Sequence, residues 1–248
     1  MKKVALVALL VAAVASPALA AQITISGNSN YRTGSGGEFN IVAADAAGAA
    51  LLGDAVARGY VIGNGTNGTA LGVGVGVTGF ETFCIEASQY ITLPGTYDVS
   101  ISNGAKPGGA GGNGTIDNIS IGTAYLYYQF ATGNLAGYIY TPGTNRANSA
   151  AKLQDAIWFL EDEISLTSTQ IQNNSFLQAA MTNYGTLADP YAKRDNNLFG
   201  VDALNLGTPP GYGNQDQLIL RVPDGGTTLM LLGGALVGLG ALRRKFGV

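Results

Sequence analysis

Hydrophobic residues recur along this chain with two periods, and the change between them divides it into elements. Ile23 and Ile25 alternate with polar neighbours over Gln22–Ser26, the period of two of a strand with one buried face. A glycine turn at Gly34–Gly37 leads to a second predicted strand, Glu38–Val42. Ala43–Arg58 groups Leu51, Leu52, Ala55 and Val56 and predicts a short helix, weakened by Gly48 and Gly53. Gly63–Gly68 has the Asn-Gly chemistry of tight turns. Leu71–Val77 alternates Leu or Val with Gly, a strand with one bare face. Phe80–Ala87 predicts a strand with Phe83 and Ile85 on one side and Phe80, Thr82, Cys84 and Glu86 on the other. Tyr97–Ser102 is another strand, followed by a glycine-rich connector at Gly104–Gly114.

The period then lengthens. Ala124, Tyr125, Tyr127, Tyr128 and Ala131 fit a helix over Ile119–Thr132 that Gly133 terminates. Apolar residues at 153, 156, 157, 160 and 164 mark a helix over about 149–164, with Ser149 or Asn148 as its cap. It carries the only Trp of the chain, Trp158, one turn after Gln154. Glu161, Asp162 and Glu163 crowd its C-terminal end, the wrong end for acids in the field of the helix. Tertiary packing must therefore place them. A further helix is predicted over Thr169–Tyr184, stopped by Gly185, then a polar loop at Asp189–Asn197. Leu198–Leu206 and Gln217–Val222 are closing strands on either side of a Gly/Pro turn at 207–213. Strands, then helices, then strands predict an α+β domain: a β-rich sandwich or barrel-like part with an inserted helical subdomain, without repeats.

Composition narrows the function classes. The chain is 46% hydrophobic and only 12% charged, with 37 glycines and a net charge of −3. No Lys/Arg cluster occurs before the extreme C-terminus, which argues against nucleic-acid binding. The glycines at 71–77 are not followed by the Lys-Ser/Thr of a phosphate loop. There is no histidine, which removes Ser-His-Asp and Cys-His catalysis and every His-bearing zinc site. The single cysteine, Cys84, can form neither an internal disulfide nor a thiolate cluster. No metal or cofactor is expected.

Both ends have the character of addresses. Residues 1–20 form a secretory signal: Lys2-Lys3, an apolar core from Val4 to Val14, and Ala18-Leu19-Ala20 as cleavage site. The mature domain is then 21–221. In 222–248, Val222-Pro223-Asp224-Gly225-Gly226 precedes an apolar helix over 227–242, and Arg243-Arg244-Lys245 follow as a basic stop. Sixteen apolar residues are near the short limit for a membrane span, about 17–25 being usual. The basic cluster orients such a span with its end in the cytoplasm. This layout resembles the PEP-CTERM class of sorting signals, closest to the variant beginning Val-Pro-Asp-Ser-Gly, with Gly225 where Ser is expected. The resemblance implies an exosortase-type processing enzyme as partner. It also implies a Gram-negative-type envelope, a transient inner-membrane stage, and delivery to the cell surface or matrix. A plain single-span anchor is the simpler alternative.

Two short motifs carry candidate chemistry. Phe83-Cys84-Ile85-Glu86 lies on a strand, and Gln154-Asp155-Ala156-Ile157-Trp158 on a helix about seventy residues later. The pair resembles the Cys-Gln thioester domains of bacterial surface adhesins, whose second signature begins with Thr where this chain has Leu153. The resemblance covers Thr82–Glu163, about a third of the chain. It implies that Cys84 attacks the Gln154 carboxamide and expels ammonia. The resulting thioester then couples to an amine on a partner surface. Near-attack geometry must be supplied by the fold, and donors at the carbonyl must stabilise the oxyanion. In that setting Trp158 shields the bond and Glu86 is a candidate proton acceptor. Such a protein reacts once and is not an enzyme. Two other readings stand beside it. The first is a non-covalent structural or exopolysaccharide-associated matrix protein, in which Cys84 is a small buried hydrophobe. The second is a hydrolase using acid pairs such as Glu81/Glu86 or Glu161/Glu163.

Overall fold

The computed structural model describes residues 20–27, 31–34, 36–57, 79–106, 116–184, 198–207 and 213–221. Outside them lie nearly all of the expected secretory signal, the expected turn at 63–68 and strand at 71–77, and most of the glycine-rich segment at 104–114. The loop at 189–197, most of the turn at 207–213 and the C-terminal segment also lie outside. Among the described residues no helix is long and apolar enough to cross a membrane.

Six antiparallel strands make one sheet. They are β1 (Ala21–Gly27), β2 (Phe39–Ala43), β3 (Gly79–Thr82), β4 (Gly95–Ser102), β7 (Val201–Leu206) and β8 (Gln217–Leu220), in the order β3-β2-β1-β4-β7-β8. A two-residue pair, β5 (Gly104–Ala105) and β6 (Asp117–Asn118), lies apart. The register puts Ile25 opposite Ile41, and Ile41 opposite Phe80, so one face of neighbouring strands is continuously apolar. The expected strand over Phe80–Ala87 is shorter than the alternation predicts, because the chain changes partner within it. Thr82 is the last residue paired with β2. Phe83–Ile85 then turns to β8: Leu218 N–H donates to the Phe83 carbonyl and Ile85 N–H to that of Asp216, with Cys84 opposite Gln217. These bonds join the two edges of the sheet, which is therefore a nearly closed barrel. Cys84 sits on the seam.

Helix α1 (Ala46–Ala57) bridges β2 and β3, and its backbone breaks at Gly53, the residue expected to weaken it. The other helices follow β6: α2 (Ile121–Ala131), α3 (Thr144–Leu160), α4 (Ser168–Asn173) and α5 (Ser175–Tyr184). Two apolar clusters result. One fills the barrel with Ile23, Ile25, Phe39, Ile41, Phe80 and Leu204. The other lies between sheet and helices and includes Phe83, Leu126, Phe130, Ile157 and Phe176. Alternation along the strands feeds both. On β8, Ile219 enters the barrel while Leu218 and Leu220 face the helices.

Three helix boundaries depart from expectation, one of them the end of α3, at Leu160 rather than about 164. Helix α3 begins at Thr144, five residues before the predicted start, with Gly143 at the cap position in place of Ser149 or Asn148. Buried Arg146 in its first turn draws that polar stretch inward. The helix predicted over Thr169–Tyr184 is two. Asn174 is extended (φ −89°, ψ 99°), and its Oδ1 accepts from Phe176 and Leu177 N–H at the start of α5. Its Nδ2 donates to the Lys152 carbonyl of α3. A local cap tied to another helix thus overrides the period.

Candidate functional site: the Cys84–Gln154 contact at the barrel seam

Helix α3 carries Gln154 to the seam because its apolar stripe divides. Leu153 and Ile157 pack among the helices, whereas Trp158 reaches the barrel cluster that contains Cys84. Gln154 lies between these directions and is 1% exposed. Its Oε1 accepts from Gly37 N–H at 2.9 Å and from Cys84 N–H at 3.1 Å. Cys84 Sγ lies 3.2 Å from the same oxygen, one bond from the carbonyl carbon. Nε2 donates to the Cys84 carbonyl at 2.9 Å. This set fixes which end of the amide is oxygen, since two N–H groups require an acceptor and a carbonyl requires a donor. Burial pushes the Cys84 thiol well above its usual range, so it is protonated and hydrogen-bonded to the carbonyl.

The loop over the amide is a glycine pair. A Cβ on Gly36 would stand 2.3 Å from Gln154 Cγ, and one on Gly37 would stand 2.8 Å from the Thr82 carbonyl. Only backbone this bare brings the Gly37 N–H to the amide. Arg32 holds the loop by donating to the Gly36 and Gly34 carbonyls.

A second buried group anchors the same loop. Arg146, also on α3 and fully buried, donates to Glu38 at 2.7 Å and to Glu81, and its guanidinium lies 4.1 Å from the Tyr31 ring centre. Tyr138 hydroxyl donates to Glu38. Burial opposes the Arg146 charge, but Glu38 and Glu81 outweigh it and keep it ionised. Burial, and then the charge of Glu38, drive Glu81 well above the usual carboxylate range. The acids thus share one cation unequally. Glu38 directly follows Gly37, and Glu81 precedes Cys84 by three residues. Both N–H donors to Gln154 therefore sit beside acids gripped by the helix that carries Gln154.

The remaining acids go elsewhere. Glu86 is fully buried and accepts from Asp216 N–H at 2.8 Å. Burial, then the neighbouring Asp216 charge, push its carboxyl up to about 9. Asp216, which accepts from Lys106 N–H, Asn205 Nδ2 and Leu206 N–H, is raised by burial to about 6. Glu161 accepts from the N–H of Ser120, the cap of α2, and Glu163 from Ala87 N–H. Glu161, an acid at the wrong end of its own helix, thus lies at the favourable end of α2. Among the described residues no group of three or more His, Cys, Asp or Glu side chains could hold a metal ion.

Outside the contact is a recess of about 290 Å³. Thr33, Gly34 and Gly36 form one wall, Ala151, Asp155 and Trp158 of α3 the other, and Gln154 the floor. Trp158 is 9% exposed, and its Nε1 has no hydrogen-bond partner among the described residues. Sequence reasoning reached Cys84, Gln154 and Trp158. It missed Gly37, Glu38 and Arg146. Gly36-Gly37 was visible only as a turn, because a backbone donor leaves no mark in residue type.

In comparison with known proteins, the family described as the VPDSG-CTERM motif matches at residues 221–246. No curated protein and no solved structure matches the chain. The match supports a C-terminal sorting signal of the PEP-CTERM type and, with it, an exported, surface-associated protein. It is consistent with processing by an exosortase-like enzyme. It lies wholly outside the segments that carry Cys84 and Gln154, so the thioester resemblance rests on residues and geometry alone.

Proposed function

We propose that this is an exported surface protein whose Cys84 and Gln154 form an internal thioester for one covalent coupling to an amine on a neighbouring surface or matrix. One observation carries the reading: a thiol and two backbone N–H groups converge on a single buried carboxamide oxygen. A structural glutamine needs acceptors and donors. It does not need a thiol against its carbonyl, opposite a paired set of N–H groups that can hold an oxyanion. The Cys84 sulfur bonds to the Gln154 carbonyl carbon and the carbon–nitrogen bond breaks. The thiol proton passes to the departing nitrogen, and ammonia leaves. Burial keeps the thiol protonated, so proton and sulfur must move together. The hydrogen bond delivers that proton to Oε1 as the sulfur adds, and it passes on to the nitrogen as ammonia leaves. Trp158 and the Gly36-Gly37 loop exclude water from the product. The tail at 222–248 serves delivery: a transient inner-membrane stage, then processing at Val222–Gly226 by an exosortase-type enzyme.

A non-covalent matrix protein is the second reading. It is favoured by the completeness of the Gln154 hydrogen bonding, which also suits an inert bridge between helix and seam. Intact mass of the exported protein separates the two. The thioester form is lighter by one ammonia, gains methylamine on treatment, and is abolished by Cys84→Ala. Full mass with a freely alkylated Cys84 in fresh protein defeats the covalent reading.

A further inference from the structure

The recess over Gln154 has one ionisable side chain in its lining, Asp155. Asp155 directly follows Gln154 on α3, so it points to the solvent side while Gln154 points to the seam. Thr33, Gly34 and Gly36 line the opposite wall with no charged side chain, and Trp158 and Ala151 supply an apolar flank. Burial raises the Asp155 carboxyl above its usual value, and the one cation that shares a recess with it, among the described residues, is Lys152 in the second. A second recess of about 210 Å³ shares Asp155 as its wall. Asp155 thus lines both recesses, and Gln154 lies in the first of them.

We infer that Asp155 selects the coupling partner: it receives the cationic head of a lysine-type primary amine whose alkyl stem lies along Trp158. The inference rests on the thioester reading and specifies which amines that site accepts. An alkylammonium is a compact cation on an apolar stem, and the recess offers an apolar flank leading to one anion. Neutral amines and anionic amines gain nothing from Asp155. The chemistry balances without another reactant. The bound ammonium releases one proton to solvent, and the nitrogen then bonds to the former Gln154 carbonyl carbon. The carbon–sulfur bond breaks, and the second proton moves from nitrogen to the Cys84 sulfur. The products are an amide and a free thiol.

The test uses the full-length protein and two probes followed by intact mass: Nα-acetyl-lysine amide, cationic at neutral pH, and hydroxylamine, mostly uncharged there. The readout is the ratio of their coupling rates. Asp155→Asn lowers the lysine-to-hydroxylamine ratio about two- to fivefold, the range of a partly exposed charge pair. Asp155→Lys lowers it further, through repulsion. The loss lies in the half-saturating concentration of the lysine probe rather than in its maximal rate. High salt lowers the wild-type ratio and leaves that of Asp155→Asn unmoved. A ratio that is unchanged in both variants overturns the inference while leaving the thioester standing. Full mass of the unvaried protein, read before any Asp155 variant is made, instead overturns the thioester and this inference with it.

Discussion

Arg146 and Gln154 lie about two turns apart on helix α3, and they are buried in opposite ways. Arg146 is met by charge: two carboxylates, a tyrosine ring and the Tyr140 carbonyl. Gln154 is met by neutral groups: two backbone N–H, one carbonyl and a thiol. The first arrangement binds three chain segments through a cation that can shed neither its charge nor its partners. The second leaves a polarised carbonyl beside a nucleophile. The two are linked along the chain, since Glu38 directly follows the donor Gly37 and Glu81 lies three residues before the donor Cys84. The charged end thus sets the register of the neutral end. A loop fastened only by its own turn would let the Gly37 N–H drift, and near-attack geometry tolerates little drift.

The largest expected effect comes from breaking the charged end. Arg146→Met leaves Glu38 and Glu81 buried without a cation and lowers unfolding free energy by about 3–5 kcal/mol in denaturant titration. Adding Glu38→Gln and Glu81→Gln recovers part of that loss, because no uncompensated acid then remains. No recovery would mean that packing of the guanidinium, not charge, holds the loop.

A smaller effect comes from crowding the neutral end. Gly36→Ala drives a methyl into the Gln154 side chain and costs about 1–3 kcal/mol. Its sharper consequence bears on the proposed thioester: the variant folds, but intact mass shows no loss of ammonia. Persistence of that loss would show that the loop does not position the amide.

The smallest effect concerns a buried acid pair that lacks a guanidinium. Glu86, raised to about 9, and Asp216, raised to about 6, both hold protons in the fold that they would release from the unfolded chain. The folded state therefore binds more protons between about pH 4 and 9, so stability falls as pH rises through that window. Glu86→Gln keeps an acceptor for Asp216 N–H and flattens the slope of unfolding free energy between pH 5 and 9. A slope unchanged by Glu86→Gln would place the titration elsewhere.

Strands and helices were legible wherever one face alone is buried. Gln22–Ser26 is contained in β1, with Ile23 and Ile25 both fully buried. The stripe at 153, 156, 157 and 160 found the body of α3, and Gly133 with φ 75° follows the end of α2 as expected. Legibility failed where distant partners intervened. The start of α3 depends on Glu38 and Glu81, which meet Arg146 from far along the chain. The division at Asn174 depends on the Lys152 carbonyl. The acids at Glu161 and Glu163 were recognised as misplaced for their own helix, but their partners, Ser120 and Ala87, were not predictable.

The sequence by itself determined which residues are candidates for chemistry. A lone cysteine, a glutamine one turn before the only tryptophan, the absence of histidine and the succession of motif, apolar run and basic cluster from Val222 to Lys245 are properties of residue type and spacing. The tertiary structure alone decided how those residues are held. Closure of the barrel puts Cys84 on the seam, a bare glycine pair brings a backbone N–H to the amide, and Arg146 fixes both. The physical reason is that backbone donors are identical in every residue. Their direction is set by long-range pairing, which local periodicity does not encode.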